Sequence, residues 1–142
     1  MKSSKILQGR FPNTYYRVSA KALIKNDTSD ILCIKEGAEY WELPGGGIDF
    51  GEDARQTLAR ELKEEISYHG DFDFKFLGWE QFFDQQDDVW KLKMVYRTEL
   101  ENFNFRAHDA TTMQWLRPEK FADSKFDEEK LIYKYGTMKN AD

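Results

Sequence analysis

The run Leu43-Pro44-Gly45-Gly46-Gly47 marks where the hydrophobic pattern of the chain changes period. Proline fixes one backbone angle and lacks an N–H, while glycine reaches conformations closed to other residues, so no regular element crosses this point. Upstream the pattern is extended. From Tyr16 to Ile24 the residues alternate, with Tyr16, Val18, Ala20, Ala22 and Ile24 on one face of a strand. Asn26-Asp27-Thr28-Ser29-Asp30 has turn chemistry and leads into the short apolar strand Ile31-Leu32-Cys33-Ile34, so the pair is expected to form a hairpin. A brief extended piece, Tyr40 to Leu43, ends at Pro44. Downstream, Asp53 to about Ile66 has helical period and strong helix formers.

The remainder returns to strand character. Phe72 to Phe83 and Val89 to Leu100 are β-rich runs around Asp84-Gln85-Gln86-Asp87-Asp88, which reads as a second hairpin. Thr112 to Leu116 reads as a short strand, and Pro118 suits the first turn of a short helix. Glu128 to Tyr135 reads as a last helix, stopped by Gly136. Strands on both sides of a central helix imply an α/β fold with a mixed sheet and helices packed on it. The 142 residues, with no repeat or low-complexity linker, fit one domain over 1–142.

On a helical wheel Ala54, Leu58, Leu62 and Ile66, with Ala59, form one apolar stripe facing the sheet. Glu61, Glu64 and Glu65, with Thr57, fall on an arc beside that stripe, while Gln56 and Lys63 point to solvent. Like charges at such spacings destabilise a helix by about 0.2–0.5 kcal/mol per pair. A divalent cation turns that repulsion into ligation, and an all-oxygen ligand set suits Mg²⁺ or Mn²⁺ rather than zinc. A solvated acidic face is the plainer reading of the helix alone. The glycine loop shifts the balance, because it permits close backbone approach and presents free N–H groups to phosphate at a helix start. Glu52 ends that loop and can bend back toward the acids, and the planar fork of Arg60 can hold carboxylates in fixed orientation.

Composition excludes several classes. With 26 acids against 21 bases the formal charge is −5, which disfavours non-specific nucleic-acid binding. A single cysteine, Cys33, allows no internal disulfide and no multi-cysteine zinc site, and its apolar neighbours make it a buried residue. No apolar stretch approaches the roughly 18 residues of a membrane helix, and residues 1–10 show no signal-peptide apolar region. The expected setting is the cytoplasm, with no membrane partner.

Taken together, Gly46, Glu52 six positions on, and Arg60-Glu61-Leu62-Lys63-Glu64-Glu65 after seven further residues closely resemble the signature of the Nudix hydrolases, of the MutT-like small type. That signature reads Gly, five residues, Glu, seven residues, Arg-Glu-apolar-any-Glu-Glu-any-Gly-apolar, and spans 23 residues here. One position departs: Ser67 stands where the signature has its last glycine, followed by Tyr68. The family glycine ends the helix in a left-handed conformation that costs other residues about 1 kcal/mol or more. Either Ser67 accepts it or the helix runs on to stop at Gly70.

The resemblance implies an α/β/α sandwich and a Mg²⁺- or Mn²⁺-dependent hydrolase that cleaves a nucleoside diphosphate linked to another group. By position, Glu61 and Glu65 correspond to the main metal ligands, with Glu64 a further ligand or the base that activates water. The Gly46 carbonyl corresponds to a backbone ligand, and Arg60 with Glu52 to an orienting pair. Relatives draw a further acid from a loop ahead of a late Trp. Asp109, six residues before Trp115, matches it best, with His108 second. His69 reads as a solvated helix-end residue, and Asp84, Asp87 and Asp88 as turn residues. Phe82-Phe83-Asp84-Gln85-Gln86 carries neither the proline of ADP-ribose types nor the tyrosine of diadenosine polyphosphate types. The small size favours a compact nucleotide such as a nucleoside triphosphate. Tyr15, Tyr40, Trp41, Trp79 and Phe83 could stack on a base, although most are expected in the core. Relatives often pair, so a homodimer is left open. The alternative is a nucleotide-binding sensor that keeps the fold without turnover.

Overall fold

The computed structural model describes residues 16–139. Tyr15 lies outside the described residues. In chain order the elements are β1 (Tyr16–Leu23), β2 (Ile31–Lys35), β3 (Gly45–Gly47), α1 (Ala54–Ile66), β4 (Phe72–Asp84), β5 (Val89–Leu100), β6 (Thr112–Leu116), a 3₁₀ turn (Pro118–Phe121) and α2 (Asp127–Gly136).

Four strands form a mixed sheet in the order β3-β1-β5-β4. β1 runs parallel to β5 and antiparallel to β3, and β4 and β5 form the long antiparallel hairpin expected from their sequence. β2 pairs instead with β6 in a separate two-stranded ribbon. The first expected hairpin is therefore corrected. Its turn forms, with the Asn26 side chain accepting N–H bonds from Thr28 at 3.1 Å and Asp30 at 2.9 Å. A single bridge, Lys25 to Ile31, closes its neck before the strands diverge. The reason is edge occupancy: β3 and β5 already fill both sides of β1. A strand has two hydrogen-bonding edges, so β2 must find another partner.

Alternation along β1 sorts its residues between two cores. Ala20 and Ala22, with Ile24 just beyond the strand, face Leu58, Leu62 and Ile66 of α1. Leu23, on the other face, joins Val95 of β5 and Leu131 and Ile132 of α2. The sheet thus lies between two helices, as an α/β/α sandwich. Cys33 is buried in the second core, where burial pushes its thiol up to about 12. No helix among the described residues is long and apolar enough to cross a membrane.

Both helices begin close to the positions read from sequence. Asp53 caps α1: its side chain accepts the Gln56 N–H at 2.8 Å, and the Gln56 side chain returns a bond to the Asp53 N–H at 2.9 Å. This reciprocal box satisfies two donors left free at the helix start. At the other end Ser67 adopts the left-handed conformation, φ 53°, and the helix stops there without running to Gly70. α2 takes in Gly136 as its last residue, so its stop falls at Thr137 rather than at the glycine.

Candidate active site

The glycine strand β3 is pinned on both sides. It pairs with β1, placing Gly45 opposite Lys21 and Gly46 opposite Ala20. Gly45 has φ 130°, and a Cβ there would lie 2.1 Å from the Ala20 carbonyl oxygen. A Cβ on Gly46 would come within 2.4 Å of Glu61 Oε1. The Glu61 carboxylate therefore lies directly against the Gly46 backbone, an approach only glycine permits.

The three helix acids are not equivalent. Glu65 is buried, the Glu61 side chain is 15% exposed and that of Glu64 is 58% exposed. Glu65 Oε1 accepts the Gly45 N–H at 2.8 Å, which ties α1 to β3. Glu65 also shares a side-chain hydrogen bond with Glu36, a residue just beyond β2. Burial first, and then Glu36, push the Glu65 carboxyl up to about 10. Burial also raises Glu61, with Arg60 opposing it. Two carboxyl groups can share a hydrogen bond only if one is protonated. A cation at that position would replace the proton.

Arg60 organises the loop. Its Nε and Nη2 donate to the two oxygens of Glu52 at 2.7 and 2.9 Å. Nη2 also reaches the Gly47 carbonyl at 3.1 Å, and Nη1 donates to Glu61 at 2.9 Å and to Glu64 at 3.5 Å. The Thr57 hydroxyl and the Asp49 N–H donate to Glu52 Oε1 at 2.9 and 3.0 Å. The Arg60 fork and then the Asp49 N–H hold the Glu52 carboxyl down to about 2. Glu52 in turn raises Arg60 above its ordinary value.

Gly46, Glu52, Arg60, Glu61, Glu64 and Glu65 thus lie along one edge where β3 meets α1. Asp109 does not join them by any side-chain bond among the described residues. Its loop is docked through backbone alone, the His108 N–H donating to the Glu65 carbonyl at 3.0 Å and that of Arg106 to Ile66 at 2.9 Å. Both Asp109 and His108 are exposed, as is His69. Asp84 is a turn residue as expected, accepting the N–H groups of Gln86 and Asp87 at 2.9 and 3.2 Å. The aromatic expectation needs correction: of the candidates described, only Trp41 is buried, while Trp79 and Phe83 are 54% and 41% exposed. They lie where α1 does not cover the sheet.

Two residues, Glu36 and Lys21, escaped the sequence reading. Glu36 carries no motif and reaches Glu65 only because the bridge from Ile34 to Glu42 folds residues 35–41 back beside β3. Lys21, fully buried, donates to Glu42 at 2.8 Å. Burial works to lower the Lys21 ammonium, and Glu42, Glu128 and Glu65 outweigh it and raise it. Its signal was present, as a lysine on a strand face otherwise leading to the core.

No three acidic, histidine or cysteine side chains among the described residues converge as a ready-made cage. The donor set still fits a hard divalent cation. Oxygen donors from Glu61, Glu65 and the Gly46 backbone adjoin one another, and burial disfavours charge on both carboxyls, a cost that a bound cation would offset.

A NUDIX domain model matches residues 15–135. An RNA pyrophosphohydrolase of Orientia tsutsugamushi is 27% identical over 146 aligned positions, covering 87% of this chain and 89% of that protein. An RNA pyrophosphohydrolase of Ruthia magnifica is 46% identical over 52 residues, which are 36% of this chain and 29% of its own length. A MutT protein from Methanosarcina mazei, solved by crystallography, superposes with a TM-score of 0.70 at 18% identity, covering 89% of this chain and 96% of that one.

Proposed function

The chain belongs to the NUDIX family, and from that premise we propose that it is a divalent-metal-dependent pyrophosphohydrolase acting on a nucleoside diphosphate linked to a further group. The observation that carries this reading is the joined edge of β3 and α1. There the Glu61 carboxylate lies against Gly46, Glu65 bonds the Gly45 N–H, and Arg60 clamps Glu52 bidentately.

In this reading Glu61, Glu65 and the Gly46 carbonyl hold Mg²⁺ or Mn²⁺. When bound, the metal neutralises the diphosphate and lowers the pKa of an attacking water. The chain's own residues do the rest. Arg60 fixes Glu52 and Glu61 through a planar fork, so the ligating edge is set before substrate arrives. Glu64, largely exposed and held only at 3.5 Å by Arg60, is free to serve as further ligand or to take the proton from water. Asp109 is assigned as an auxiliary acid that its backbone-docked loop brings toward the end of α1. Intact acids at all three helix positions favour turnover over a sensor that only binds.

The substrate is a small nucleotide, with a nucleoside triphosphate favoured. The relatives named as RNA pyrophosphohydrolases add a 5′-triphosphorylated RNA end to the panel to be tried. Hydrolysis in ¹⁸O-water with Mg²⁺, followed by mass spectrometry of both products, tests the proposal. Label in one product of a cleaved phosphoanhydride is expected; phosphomonoester cleavage alone would refute it.

A further inference from the structure

β4 and β5, at 13 and 12 residues, run about 40 Å, whereas the 13 residues of α1 span about 20 Å. The helix is therefore too short to cover its face of the sheet, and the end nearest the β4–β5 turn is left open. Register sets Trp79 opposite Met94, Gln81 opposite Leu92 and Phe83 opposite Trp90, with Tyr16 of β1 beside Trp90 on its other flank. Met94 packs against the core under α1, so these side chains share the α1 face. Tyr16, Trp79, Gln81, Leu92 and Met94 line an open groove of about 220 Å³. Tyr16 and Phe83 both pack on Trp90, with ring separations of 6.1 and 5.3 Å. No charged side chain stands on this surface, in a chain of which 33% of residues are charged.

We propose that this face is an interface between two copies of the chain, stacked sheet on sheet about a two-fold axis. The inference goes beyond the hydrolase reading and does not depend on it. Tyr16, Trp79, Phe83 and Trp90 are each 38–54% exposed, which leaves about 250–450 Å² of aromatic surface open. Patches of that size on a soluble chain often mark a contact site. A stable interface takes about 800 Å² from each partner, apolar at its centre and polar at its rim, and the four rings supply the centre. Sheets stack about 10 Å apart, close to the diameter of a helix, so a second copy's strands fill the layer that α1 fills farther along. Charge decides the partner. A nucleic acid stacked on these rings needs Lys or Arg along its backbone; the face offers none, and the adjoining turn carries Asp84, Asp87 and Asp88. An anionic membrane surface fails on the same ground. A second copy brings the same uncharged face to an isologous contact. The edge of β4 is a poorer route to pairing, blunted by the irregularity at Leu77 and by exposed Asp73 and Lys75.

The test is sedimentation equilibrium of the full chain from micromolar to near-millimolar concentration, with acrylamide quenching of tryptophan fluorescence measured on the same samples. The apparent mass is expected to double, and quenching to fall with it, because Trp79 and Trp90 leave solvent. Trp79→Glu should weaken association about 30-fold or more, the scale of losing a central aromatic anchor. Tyr133→Glu, at an exposed position of α2, should leave association unchanged. If Trp79→Glu fails to fold, Phe83→Lys on the same face replaces it, and the quenching of the unsubstituted protein stands by itself. A chain that stays monomeric overturns the inference: tryptophans open to acrylamide mean a bare face, and shielded ones mean cover from within the chain. A dimer that forms with no change in quenching, or that survives in folded Trp79→Glu protein, overturns it too. Protection of the tryptophans by a single-stranded RNA oligonucleotide, and not by protein concentration, overturns it in favour of nucleic acid.

Discussion

Arg60 distributes its donors over Glu52, Glu61, Glu64 and the Gly47 carbonyl, and no other cationic side chain could do the same. Lysine carries a charge but no planar fork, so Arg60→Lys should release Glu52 and let the ligating edge drift. A misplacement near 1 Å can reduce turnover by about 10²-fold, and kcat should fall accordingly in steady-state assays while the circular dichroism spectrum is retained. Glu65→Gln should abolish hydrolysis yet leave the melting temperature unchanged or raised. Its carboxyl is pushed up to about 10 by burial and Glu36, so the folded metal-free protein already holds the neutral form that glutamine imitates. Glu52 and Glu65 also predict opposite pH responses. Glu52, held near 2 against an ordinary 4.5, adds stability above pH 4.5 that is lost as the pH falls toward 2. Glu65, raised from 4.5, adds stability at low pH that is lost as the pH climbs from 4.5 toward about 10. Urea melts of Glu52→Gln across pH 2 to 5 should therefore be flatter than those of the parent.

α1 is the element on which both fold and site depend, and most of it was legible. The stripe of Leu58, Leu62 and Ile66 is buried as its period requires, and Asp53, read as the start of the helix, caps it. Period could not show that the three acids differ in burial, because depth depends on which side β3 lies. The left-handed Ser67 resolves the departure from the motif: the tertiary fold imposes the glycine conformation on a serine. Ser67→Gly should then stabilise the protein by about 1 kcal/mol, seen as a rise of a few degrees in melting temperature, with kcat unchanged. The hairpin β4–β5 was readable because its pairing is local. The β1–β2 hairpin was misread for the opposite reason. Turn chemistry reports only the turn, and the partners of β1 come from residues more than 20 positions away.

At the scale of the molecule, the carboxylate edge forms where β3 meets α1, and buried Lys21 of β1 answers the charges of both Glu65 and Glu128. Long-range placement of this kind leaves no local signal, which is why Glu36 was not read from sequence while the motif residues were. The whole chain should also register the metal. Ligation competes with protonation of the raised Glu65 carboxyl, so Mg²⁺ at about 100 times its dissociation constant should add about 2.7 kcal/mol, and one fixed Mg²⁺ concentration should raise the melting temperature more at pH 8 than at pH 5. The central claim is that this edge cleaves phosphoanhydrides with a metal. Its most direct test is product analysis of a panel of nucleoside triphosphates, nucleotide sugars, dinucleoside polyphosphates and triphosphorylated RNA, run with Mg²⁺, with chelator, and with folded Glu65→Gln protein. The account predicts anhydride cleavage of at least one class, lost under both of the latter conditions. Cleavage that survives chelator and Glu65→Gln, or no cleavage of any class, would contradict it.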